Sequence, residues 1–66
     1  MRLKINGKFE EFGKGTVQDL LILKKIEPQM VSVELNSKIL EKSEFEKASL
    51  SDGDVVEFLF YMGGGK

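Results

Sequence analysis

Val55-Val56-Glu57-Phe58-Leu59-Phe60-Tyr61-Met62-Gly63-Gly64-Gly65-Lys66 is the stretch on which the reading of this chain turns. Its first part, residues 55–61, is rich in β-branched and aromatic side chains and reads as a strand. If the charged Glu57 faces water, alternation puts Val55, Leu59 and Tyr61 on its side and sends Val56, Phe58 and Phe60 into a core. The glycines that follow have no Cβ, roam φ/ψ space freely and offer nothing to pack. Residues 63–66 are therefore expected to form a thin, flexible tail on a domain spanning 1–62. Such a tail can thread a narrow channel and deliver a terminal carboxylate to another protein's active site. Extended, Met62 to Gly65 reaches at most about 13–14 Å, at roughly 3.3–3.6 Å per residue. Leu59, Tyr61 and Met62, exposed where the tail begins, are the expected docking residues for a partner.

Upstream of that strand, Ser51-Asp52-Gly53-Asp54 makes a tight turn. Ser43-Glu44-Phe45-Glu46 fits a capping box around a single helical turn, with Ser43 and Glu46 reciprocally satisfying amides. Lys38-Ile39-Leu40 is a short strand, separated by Asn36-Ser37 from Met30-Val31-Ser32-Val33-Glu34-Leu35. In that cleanest of the alternating segments Val31, Val33 and Leu35 point inward. A helix starts at Val17, where Thr16 accepts from free amides and Asp19 favours the positive end, and it stops before Pro28, since Gln29 onward reads as strand. Val17, Leu20, Leu21 and Leu23 supply its apolar side. At the other end Arg2-Leu3-Lys4-Ile5 alternates, Asn6-Gly7 suits a two-residue hairpin turn, and residues 8–12 return as a strand.

Strand, strand, helix, strand, short strand, helical turn, strand is the resulting order. One helix with one apolar stripe covers one sheet face, which makes a two-layer α+β domain with the other face open to solvent. With 66 residues, the chain supports one small core, since a domain this size buries only about 60% of the surface its unfolded form exposes. Hydrophobic residues at 41% and charged residues at 32% describe a folded domain and not a disordered or membrane-spanning one.

The net charge of -1 carries no basic stripe, so nucleic acid is not an expected partner, and neither is a membrane. Cysteine and histidine are both absent. That removes disulfides, thiolate nucleophiles, imidazole bases and the usual zinc ligands. Lys4, Asn6, Gly7 and Lys8 interrupt the apolar run that a signal peptide would need, so a cytoplasmic location is expected. The remaining candidates for chemistry have plainer explanations. Asp52 and Asp54 belong to a turn and lack the other ligands of a calcium loop. Ser43 caps a helical turn and has no histidine to activate it. Glu10-Glu11 and Glu44 with Glu46 lie on solvated faces without a substrate-sized cleft.

Taken together, Ile5-Asn6-Gly7-Lys8, Thr16-Val17-Gln18-Asp19-Leu20-Leu21, Val31-Ser32-Val33-Glu34-Leu35-Asn36, Leu50 with Asp52-Gly53-Asp54, and Val56-Glu57 leading to Gly63-Gly64-Gly65 resemble the ThiS sulfur-carrier family of thiamin biosynthesis. The resemblance covers essentially the whole chain. It implies a ubiquitin-like β-grasp fold, a mixed four- to five-stranded sheet packed on one helix. It also implies a carrier rather than an enzyme. In such a carrier the terminal glycine carboxylate is adenylated by an E1-like adenylyltransferase of the ThiF type, which uses ATP, and becomes a thiocarboxylate. The sulfur then passes to a thiazole synthase of the ThiG type. By carry-over Gly65 bears the thiocarboxylate, with Gly64 completing the Gly-Gly end and Gly63 as spacer. No cofactor is expected to be bound stably, only the covalent sulfur.

Lys66 departs from that pattern, because a long charged side chain does not fit a glycine-sized channel. Its removal before activation is the expectation. Other readings remain open at this point: a β-grasp sulfur carrier like the small subunit of molybdopterin synthase, a ubiquitin-like protein modifier, or an interaction module with an inert tail.

Overall fold

The computed structural model describes residues 1–61; the expectations for Met62, Gly63, Gly64, Gly65 and Lys66 lie outside the described residues. Strands β1 (Arg2–Ile5) and β2 (Lys8–Glu11) form a hairpin. Helix α1 (Val17–Leu23) follows, then a 3-10 turn at Pro28–Met30. Strand β3 (Val31–Leu35) pairs with β4 (Lys38–Leu40), a second 3-10 turn covers Lys42–Glu44, and β5 (Val55–Phe60) closes the sheet. The strand order is β2-β1-β5-β3-β4. β5, last in sequence, is central in space, parallel to β1 and antiparallel to β3. This mixed five-stranded sheet with one helix on one face is the expected α+β architecture.

Local chemistry accounts for most of the elements. Asn6 and Gly7 both adopt positive φ, 48° and 85°, as the two-residue turn requires. Asn36 and Ser37 do the same between β3 and β4, at 51° and 72°. At the start of α1 the Asp19 amide donates to Thr16 Oγ1 at 3.3 Å, while the Thr16 amide donates to Asp19 Oδ2 at 2.9 Å. Two further amides of this first turn, those of Val17 and Gln18, donate to the carbonyls of Ala48 and Phe45. Gly15, at φ 142°, sits where an added Cβ would lie 2.5 Å from the Asp19 carboxylate, so the cap itself demands glycine there.

The core joins one face of the sheet to the helix: Leu3 and Ile5 of β1, Val31 and Val33 of β3, Val56 and Phe58 of β5, with Val17, Leu20 and Leu21 of α1. Phe12, Phe45 and Leu50 fill its margins.

Four expectations are corrected. Phe60 shares a face with the buried Val31 but is 53% exposed. β1 reaches only as far as Val56 along β5, so the flank of Phe60 on that side has no strand against it. Its ring meets Phe58 edge-on, with centroids 6.4 Å apart. Leu23 is exposed as well; at ~100° per residue it lies about 240° round the helix from Val17, off the buried stripe. The capped turn begins earlier than at Ser43: Glu41 precedes it and donates its amide to Glu44 Oε1 at 2.8 Å. That register is the one that delivers Phe45 into the core. Finally, Gln29 and Met30 belong to the 3-10 turn, and the strand opens at Val31. The helix itself ends at Leu23, with Lys25 at φ 59° and the Ile26 amide donating back to Leu21, an ending of the Schellman type.

Candidate functional site at the base of the glycine tail

The described chain ends at Tyr61, one residue past its central strand. Tyr61 donates its amide to the Met30 carbonyl at 3.1 Å, and its hydroxyl lies 2.9 Å from Ser32 Oγ. Leu59 stands opposite Ser32 in the β3·β5 ladder. Leu59 and Tyr61 are 57% and 52% exposed and share the open face of the sheet, which is where strand alternation placed them. Met62, the third expected docking residue, lies outside the described residues, as do the glycines and Lys66.

That open face carries more apolar surface than Leu59 and Tyr61 alone. Val55, Phe9 and Ile39 are exposed on it too. Registers place Phe9 opposite Lys4, Lys4 beside Val55, and Ile39 opposite Glu34. The Arg2 guanidinium lies 4.6 Å from the Phe9 ring centroid and the Lys4 ammonium 5.6 Å from it, so two cations lie over one aromatic ring. Exposed apolar groups interleaved with charged ones across a sheet have the composition of a protein-docking face rather than of a small-molecule pocket.

Two features near the end of β5 have no signal in the local sequence. Phe60 is exposed on the opposite side of the sheet from Leu59 and Tyr61, so apolar groups flank the chain's exit on both faces. The Asn6 side chain grips the main chain of Phe58: the Phe58 amide donates to Asn6 Oδ1 at 2.7 Å, and Asn6 Nδ2 donates to the Phe58 carbonyl at 3.3 Å. The Asn-Gly pair announces a turn, but nothing near it announces a partner 52 positions away.

Elsewhere the described residues offer little for catalysis. A shallow depression of about 330 Å³ is lined by Leu35, Lys38, Leu40, Glu44, Lys47 and Ala48. It holds no nucleophile poised beside a base. Among the described residues no group of three or more carboxylates could hold a metal ion, and no helix is long and apolar enough to cross a membrane.

The family model described as the ThiS family matches residues 3–65, body and glycines together. The chain belongs to the ThiS family. Among relatives of this ThiS-family chain, the sulfur carrier protein ThiS of Bacillus subtilis is 40% identical over 65 residues, covering 96% of this chain and 98% of that protein. A crystal structure of the thiamine biosynthesis protein ThiS from Geobacter metallireducens superposes with a TM-score of 0.85 at 40% identity, covering 98% of this chain and 100% of that one. A thiazole synthase of Paramagnetospirillum magneticum is 36% identical over 66 residues, which are 98% of this chain but only 20% of that protein. The ThiS match stops at Gly65 and leaves Lys66 beyond it.

Proposed function

We propose that this chain is a sulfur carrier of thiamin biosynthesis, a co-substrate for partner enzymes, and that its working terminus is Gly65. The observation that carries the reading is the family match, which runs through the body and on to Gly65. A B. subtilis relative named as a sulfur carrier, matched over nearly its whole length, supports it. The thiazole synthase match favours the thiamin route over a molybdopterin route, since a stretch like this chain occurs within a thiazole synthase. A carrier held in one polypeptide with its acceptor meets it at high effective concentration.

The chemistry follows from the terminus. A carboxylate is a poor electrophile until one oxygen becomes a leaving group. In the proposed first step the Gly65 carboxylate attacks the α-phosphorus of ATP on a ThiF-type adenylyltransferase, forming the acyl adenylate and releasing pyrophosphate. A donor at the sulfide level of oxidation then attacks the carbonyl carbon, AMP departs with the C–O bond electrons, and a thiocarboxylate remains. That thiocarboxylate is the sulfur nucleophile for a ThiG-type thiazole synthase. The body's part is to dock through Leu59, Tyr61 and Met62 while Gly63 and Gly64 let the chain pass. A cytoplasmic setting, where ATP is available to the adenylating partner, is part of this proposal. Lys66 is removed first, because its side chain blocks a passage that admits only glycine.

Intact mass spectrometry of the protein isolated from its native cell tests this. The expected result is a species ending at Gly65 together with one heavier by the exchange of oxygen for sulfur. A thiocarboxylate on a chain still ending in Lys66 would overturn the trimming step. A chain that never acquires sulfur while thiamin is being made would overturn the carrier reading.

A further inference from the structure

The β1·β5 ladder stops before β5 does. Lys4 pairs with Val55 and Ile5 with Val56, after which β1 turns away at Asn6-Gly7 while β5 runs on to Phe60. The next peptide groups facing that side, those of Phe58, would be left without a partner beside a residue that is only 4% exposed. The Asn6 carboxamide supplies both missing bonds, one as acceptor and one as donor. A carboxamide has the shape and polarity of a peptide unit, so it acts as one more rung of a strand that has already ended. Past that rung, the described residues hold β5 from the β3 side alone, through Leu59 opposite Ser32 and the Tyr61 amide on Met30.

We propose that Asn6 is a positioning residue for the carrier reaction: its grip on Phe58 sets the direction in which the chain leaves the sheet, and hence how the terminal glycine meets an enzyme's active site. This rests on the sulfur-carrier function proposed for the chain. The physical argument is the twist of strand ribbons. A segment paired on both sides is held near the mean sheet direction, whereas one paired on a single side twists more strongly. Asn6 marks the last point at which β5 is held on both sides. Loss of the rung moves that point back to Val56, and the exit of the chain then depends on a two-stranded ribbon.

The same fold supplies a matched control. Asn36 also occupies a left-handed turn position, φ 51°, and its Oδ1 accepts from the Val55 amide at 2.9 Å, at the other end of β5. Glycine tolerates positive φ at either turn, so Asn6→Gly and Asn36→Gly each remove the carboxamide and keep the turn. Two measurements decide between positioning and mere stability. The first is ATP–pyrophosphate exchange catalysed by the adenylating partner, using chains ending at Gly65. Asn6→Gly is expected to lower kcat by roughly ten- to hundred-fold with KM little changed, the range a misplaced reacting group produces. Asn36→Gly is expected to keep the wild-type kcat. The second is the set of residual dipolar couplings of the Leu59, Phe60 and Tyr61 amides in the free full-length proteins, which should change in Asn6→Gly and not in Asn36→Gly.

Equal kcat in the two variants, or unchanged couplings in Asn6→Gly, would overturn the proposal. A wild-type chain that supports no exchange defeats the carrier reading instead, and the couplings then decide by themselves whether Asn6 directs the exit.

Discussion

Both ends of β5 are held by an asparagine that sits in a left-handed turn, yet the two grips differ in kind. At the entry, Asn36 carries the β3·β5 ladder one residue past Leu35: its own amide donates to the Val55 carbonyl, its Oδ1 accepts from the Val55 amide, and its Nδ2 reaches Asp54 Oδ1 at 3.0 Å. All of this lies in exposed surroundings. At the exit, Asn6 replaces a ladder that has run out, and the group it serves belongs to a buried residue. The same side chain in the same backbone conformation therefore serves a single exposed amide of β5 in one place and both peptide groups of a buried residue in the other. What an asparagine is worth depends on whether water can take over its hydrogen bonds.

The comparison can be broken most forcefully at the residue Asn6 holds. Phe58→Ala is expected to destabilise the domain by about 3–5 kcal/mol, as removal of a buried aromatic ring does. Phe60→Ala, two positions on and half exposed, should cost well under about 1 kcal/mol. Denaturant unfolding of the two variants checks both, and equal losses would mean that Phe60 is packed as tightly as Phe58.

The two grips come next in size. Asn6→Gly leaves a partly buried amide and carbonyl unpaired and is expected to cost about 1–3 kcal/mol. Asn36→Gly exposes its partners to water and should cost about 0.5–1.5 kcal/mol. Thermal melts of the single variants and the double variant would show the order and test additivity; a larger loss at Asn36 would reverse the ranking of the two grips.

Smaller effects separate the open face from the fold. Leu59→Glu or Tyr61→Glu is expected to change stability by no more than about 0.5 kcal/mol, as surface changes do, while weakening affinity for the proposed adenylating partner at least ten-fold. Unchanged affinity by titration calorimetry would place docking elsewhere. Another small effect lies away from the open face: Lys24→Ala breaks the 2.7 Å ion pair between Lys24 and Glu10, whose side chains are 29% and 38% exposed. Only about 0.2–1 kcal/mol should be lost, and less at high salt.

How much the sequence reveals varies from residue to residue. Asn6-Gly7 announces a hairpin because positive φ at two successive positions is a local demand that few residues meet. Thr16 and Asp19 announce the start of α1 because the cap is made within four residues. Leu59 and Tyr61 are placed on the open face by strand alternation alone. Phe60 is misplaced by the same rule. Alternation tells which face a side chain shares, but whether anything covers that face depends on where β1 ends.

By itself, then, the sequence determined what short-range chemistry can determine: the turns, the helix cap, the alternating faces, the absence of cysteine and histidine, and the glycine end that carries the family resemblance. Tertiary structure alone decided that the last strand lies in the middle of the sheet, that the capped turn takes its register from burying Phe45, and that Asn6 serves Phe58. The physical reason is range. Backbone preferences and caps act over a few residues, whereas burial and ladder pairing join groups that sequence separates by about fifty positions, and only the folded chain brings them within hydrogen-bond distance.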